Sequence, residues 1–145
     1  MTARARFASS ALLAILAASS TACGSGKREA ASLVAAVDRY RKAPMESKAA
    51  PAAMIEKVEC SDAEVCAAKE ACLQSARPTV RGMALKLEVT KALDDLNEGR
   101  ITHDQAEGMG LSRKLDDASR AIDDGRVNLA GCDAEVISLR LKYAL

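Results

Sequence analysis

Cys60, Cys66, Cys72 and Cys132 are the side chains in this sequence best suited to chemistry, since thiols can bind a soft metal, exchange disulfides or crosslink a chain. Their spacing decides among these. Zinc and copper thiolate sites favour paired C-x-x-C knuckles, which are absent. The same absence removes a thioredoxin-like redox motif and a haem attachment. Crosslinking remains. Four cysteines allow three pairings, and each contains one local bond among Cys60, Cys66 and Cys72. Helical residues six apart are separated by about 9 Å along the axis and point about 120° apart, beyond the reach of a disulfide. Cys66–Cys72 is thereby excluded if both are helical. Cys60 precedes the helix and can swing back to Cys66, whereas Cys72 is too far along for it. The expected framework is Cys60–Cys66 with Cys72–Cys132.

Three acidic pairs, Asp94-Asp95, Asp116-Asp117 and Asp123-Asp124, could bind a divalent cation or do acid–base work. Lys91 stands four residues before Asp95, and Arg113 four before Asp117. Arg120 stands four from both Asp116 and Asp124, so the pattern is that of a solvated, salt-bridged helix face. His103 is the only histidine; Glu107 follows four residues on, with no third ligand nearby. In the first turn of a helix it reads as an exposed or capping residue. No Gly-rich phosphate loop, G-x-S-x-G elbow or Ser/His/Asp set occurs. No catalytic residue, metal ligand or cofactor is expected, and the reading is a non-enzymatic protein.

The elements that carry these residues read as helices. Leu33, Val37 and Tyr40 form one stripe of a helix from about Glu29 to Lys42, ended by Pro44. Pro51 opens a short helix with Met54, Ile55 and Val58. Ser61-Asp62-Ala63-Glu64 has the form of a capping box, with Ser61 as N-cap, starting a helix that stops before Pro78. Leu85, Val89, Ala92 and Leu96 then mark a helix from about Thr79 to Glu98, with Gly99 suited to its left-handed end. A second capping box, Thr102 to Gln105, opens a helix to about Asp124 with Leu111, Leu115, Ala118 and Ile122 on one stripe, which Gly108 and Gly110 can kink or delay. Matched stripes across the short loop Gly99-Arg100-Ile101 predict an antiparallel helical hairpin. Residues 83–89 and 137–143 alternate apolar and polar like strands. A lone two-stranded ribbon is marginal in water, so both are expected to be helical. The fold expected is all-α: a small disulfide-stapled helical bundle containing that hairpin.

The amino-terminal segment has a different logic. Arg4 and Arg6 precede the apolar run Ala11 to Ala18, and Ser19 to Ala22 supply small residues, the layout of a signal peptide over 1–22. The run is too short to span a bilayer, which takes roughly 20 residues. Ser20-Thr21-Ala22-Cys23-Gly24 resembles a lipobox, the processing and lipidation site of bacterial lipoproteins. Ser20-x-Ala22 also suits ordinary signal peptidase, and either cut leaves Cys23 first. Parity favours lipidation: with Cys23 acylated, the other four cysteines make an even set for an oxidising compartment. The resemblance covers this segment only and implies a palmitate-bearing Cys23. Gly24-Ser25-Gly26-Lys27 reads as a short flexible tether within residues 23–28, and length and helical patterning give a single helical domain over 29–145. Gly24 in place of Asp is similar to lipoproteins sent on to the outer membrane, facing the periplasm.

Composition bounds the partners. Arg4 and Arg6 leave with the signal segment, so 19 of the 21 basic residues face 20 acidic ones. No nucleic-acid partner is expected from so balanced a chain. Tyr40 and Tyr143 are the only rings after Phe7 is removed, too few for a stacking site. The expected contacts are a membrane, through the lipid, and a protein partner in the cell envelope. The alternative is a periplasmic binder of a metal ion or small apolar ligand held between helices.

Overall fold

The computed structural model describes residues 22–145. Residues 1–21 of the expected signal segment and the side chain of Cys23, with the lipid expected on it, lie outside the described residues. The chain is all-α: α1 (Ala22–Lys42), a 3₁₀ turn (Met45–Ser47), α2 (Ala49–Lys57), α3 (Ala63–Asn97), α4 (His103–Gly108) and α5 (Leu111–Tyr143). Among the described residues there is no strand, and no helix is long and apolar enough to cross a membrane.

α3 and α5 form the antiparallel hairpin, longer than the sequence suggests. Pro78 lies inside α3 and does not end it. Proline removes one N–H and leaves the carbonyl four residues earlier unpaired, a cost of about 3 kcal/mol in a helix interior. Here that carbonyl belongs to exposed Gln74, where water can replace the lost donor. Cys72 and Ala76 before the proline, and Thr79, Gly82 and Met83 after it, are buried, so packing on both sides holds the helix continuous. α5 likewise runs through Asp124 to Tyr143. The break expected near Gly108 and Gly110 is real: α4 ends at Gly108, and Gly110 takes φ +61° before α5 begins. Gly99, at φ +71°, closes α3 as anticipated, and the Thr102/Gln105 capping box is present.

The register is fixed by contacts along the hairpin. Tyr143 Oη donates to Asp62 Oδ2 at 3.0 Å, Cys72 is bonded to Cys132, and Lys114 reaches Glu88 at 3.0 Å. Between these the helices cross unusually closely. A Cβ on Gly125 would lie 2.1 Å from Thr79 Oγ1 and 2.7 Å from the Ser75 carbonyl oxygen; one on Gly82 would lie 2.6 Å from the Ala118 carbonyl oxygen. Ser75 Oγ donates to the Gly125 carbonyl at 2.7 Å, a bond that needs this proximity. Both disulfides have the expected partners, with Cα–Cα distances of 5.4 Å for Cys60–Cys66 and 4.4 Å for Cys72–Cys132.

α1 and α2 cover one side of the hairpin at its open end. Leu33, Val37, Tyr40, Ile55, Val65, Leu73, Val136 and Leu139 meet there in one buried core. Towards the loop at Gly99 the hairpin continues as a two-helix arm, on which Leu87, Leu93 and Leu115 are exposed. α3, at 35 residues, is about 52 Å long, so arm and core lie at opposite ends of an elongated molecule.

Candidate functional site

Three chain segments converge at the open end of the hairpin: the start of α1, the start of α3 and the end of α5. The expected tether is helical instead. α1 runs back through Gly24 to Lys27, although Gly-Ser-Gly has low helix propensity. The flatness of Gly26 lets α1 lie against Tyr143, whose Oη would be 2.9 Å from a Cβ at that position.

Glu29, one turn further on, ties α1 to α3. Its Oε2 accepts from Ser61 N at 2.7 Å and Asp62 N at 3.1 Å, and its Oε1 accepts from Ser61 Oγ. Ser61 is therefore not the N-cap. Asp62 takes that place, its Oδ1 accepting from Glu64 N and Val65 N, while Glu64 pairs with Lys142 at 2.8 Å. A carboxylate 32 residues away satisfies donors that a local box cannot, a partner invisible to local motif reading. Hydrogen bonds from the Ser61 side chain and from the Ser61 and Asp62 backbone hold Glu29 below the usual carboxylate range. Asp62 is lowered chiefly by the Tyr143 hydroxyl, with the Val65 amide adding to it. Desolvation, and then the bond to Asp62, raise Tyr143.

Carboxylates with depressed folded-state values stabilise the fold above the ordinary carboxylate range, near pH 4, and lose that contribution as pH falls through the lowered values. Glu29→Gln should accordingly lower the urea midpoint at pH 7. The gap from the parent should narrow between pH 5 and pH 3, as protonation removes the same contribution from the parent. A gap unchanged over that range would show that Glu29 does not supply it.

Between α1 and α2 runs an open groove of 720 Å³. Its apolar wall includes Ala35, Ala36, Met54 and Val58; Arg28, Arg39 and Lys57 line it with Glu29 and Glu59. One end lies at Ser25 and Arg28, within two turns of Cys23.

The other candidates from the sequence are dispersed. Arg100 pairs with Asp95 at 2.6 Å, Arg120 with Asp117, and Arg126 with Asp123 at 3.3 Å. One aspartate of each acidic pair thus lies in a salt bridge, with its partner three or five residues away instead of the four expected. His103 is the exposed first residue of α4 and shares a shallow hollow of 610 Å³ with Glu107 and Arg113. Among the described residues no three His, Cys, Asp or Glu side chains come together in a group able to hold a metal ion.

One surface escaped the sequence reading. On the side of α5 facing away from α3, Val127, Ala130, Ala134, Ile137 and Leu141 recur at intervals of three and four. All five are exposed, Val127 at 72 % and Leu141 at 80 %. Comparison of the chain with protein-family models, curated proteins and solved structures gives no match.

Proposed function

We propose that this protein is a bacterial envelope lipoprotein, held to a membrane by acyl chains on Cys23 and acting as a non-catalytic binding or structural module. The observation that carries the reading is the lipobox-like Ser20-Thr21-Ala22-Cys23-Gly24, preceded by the signal-like layout of Arg4, Arg6 and the run from Ala11 to Ala18. The pairing of all four remaining cysteines fits an oxidising compartment outside the cytoplasm.

The fold gives this reading a geometry. α1 runs from residue 22 into the base with no loop between, so an anchor on Cys23 sits about one turn from the Gly26–Tyr143 contact. The base then rests against the headgroups and the arm projects away from them, its tip at Gly99 roughly 50 Å out. Two or more acyl chains give stable attachment where one is marginal. Cys23→Ser should therefore shift the protein from the membrane fraction to the soluble envelope fraction, with both disulfides intact. Retention in membranes of a variant whose residues 1–22 have been removed would rule out the lipid as anchor.

A second reading, a periplasmic binder of a small apolar ligand, draws on the α1–α2 groove. Its apolar wall beside Arg28, Arg39 and Lys57 suits an amphiphile with an anionic head. Titration with a fluorescent fatty acid should give saturable binding weakened by Met54→Glu. Binding that is absent, or indifferent to Met54, disposes of it.

A further inference from the structure

We infer that the outward face of α5 is a self-association seam, on which a second copy of this chain docks antiparallel. The residues recur as the a and d positions of a heptad: Val127, Ala134 and Leu141 as a, Ala130 and Ile137 as d. They lie opposite the inner seam of the same helix, where Ala118, Gly125, Cys132, Val136 and Leu139 are buried against the rest of the fold. A helix with one stripe buried and a second regular stripe exposed has an apolar face left over. Exposed stripes of this kind mark interaction surfaces.

Charge and size choose the occupant and its direction. One edge of the seam carries Arg126, Asp133 and Arg140; the other carries small Gly131 and Ser138. In an antiparallel pair the first edges face each other. With Ala130 opposite Leu141 of the second copy and Ala134 opposite its Ile137, each of these layers joins a small to a large side chain. The same register sets Asp133 across from Arg140 of the second copy, twice by symmetry. A shift of one heptad would oppose Arg126 to Arg140 and Asp133 to Asp133, which like-charge repulsion disfavours. A parallel pair stacks Ala134 on Ala134 and Leu141 on Leu141, and it gains no charge pair. Asp133 and Arg140 are already positioned at the edge by α1, through Arg41 to Asp133 and Arg140 to Asp38 at 2.6 Å.

The seam spans 15 residues, about 22 Å of helix, and buries well below the roughly 1,600 Å² of a standard interface. The dimer is accordingly weak, dissociated in dilute solution and formed at high protein concentration, whether or not Cys23 carries lipid.

Photocrosslinking with the mature chain tests this. Benzoylphenylalanine at position 130 should, at high concentration, yield a covalent dimer with the crosslink mapped to Leu141 of the second copy. The same probe at exposed Gln74 should yield none. Ile137→Glu with Leu141→Glu should cut the yield at least about ten-fold, since burying two charges costs more than the 1.4 kcal/mol that this factor represents. Both positions are exposed, so helicity and the Cys72–Cys132 bond should persist in the variant. A crosslink to Val127 or Ala134, an undiminished yield in the double variant, or no self-crosslink at all would overturn the proposal.

Discussion

Replacing Cys72 and Cys132 together by alanine should destabilise the protein by about 4 kcal/mol, the largest loss expected from removing either crosslink. The bond closes a loop across a sequence separation of 60, and the loop-entropy relation gives about 4.3 kcal/mol for it against about 2.3 kcal/mol for Cys60–Cys66, with a separation of six. Position adds to length. Both long-range cysteines are almost fully buried in the seam where α3 meets α5, whereas Cys60 and Cys66 are only half-buried at the start of α3. Urea unfolding of the two double-alanine variants measures the difference directly. Equal losses, or a larger one for Cys60→Ala with Cys66→Ala, would show that the long bond does not hold the hairpin together.

Gly125→Ala is the second large effect, expected at about 3 kcal/mol of lost stability. On an exposed helix the same change stabilises by up to about 1 kcal/mol. At Gly125 the added methyl meets Thr79 Oγ1 at 2.1 Å, and the Ser75 carbonyl and Thr79 amide stand behind it. Backbone cannot rotate away as a side chain can, so α3 and α5 must separate, and the Ser75–Gly125 hydrogen bond lengthens or breaks. At Gly131, six residues on, an added methyl would meet nothing within 4 Å, and Gly131→Ala should leave stability unchanged or raised. Thermal unfolding of the two variants should give shifts of opposite sign. Matching shifts would mean that the close crossing contributes nothing.

The disulfide pairing was legible because it depends on local geometry: Cys60 stands outside a helix, and Cys66 and Cys72 stand inside one. The hairpin was legible from its four-three-four stripes. What escaped depends on contacts distant in sequence. Pro78 reads as a stop because local chemistry makes it one, and only packing on both sides overrides it. Ser61 reads as an N-cap until Glu29 arrives from α1 and takes its hydroxyl and amide. Gly82, Gly125, Ser75 and Thr79 are poor core residues by type, and only their joint placement makes them a crossing point. The strand-like alternation of residues 137–143 also has a structural cause. Leu139 and Tyr143 face inward while Ile137 and Leu141 face out, so two helical stripes interleave into an apparent period of two.

The functional reading rests on Cys23, and the mass of the mature amino-terminal peptide tests it most directly. The protein purified from membranes, digested and measured by mass spectrometry, should give a first peptide beginning at Cys23 and heavier than its sequence by a diacylglyceryl group, with or without a further amide-linked acyl chain. A first peptide with unmodified Cys23, or a chain that retains residues 1–22, would contradict the account.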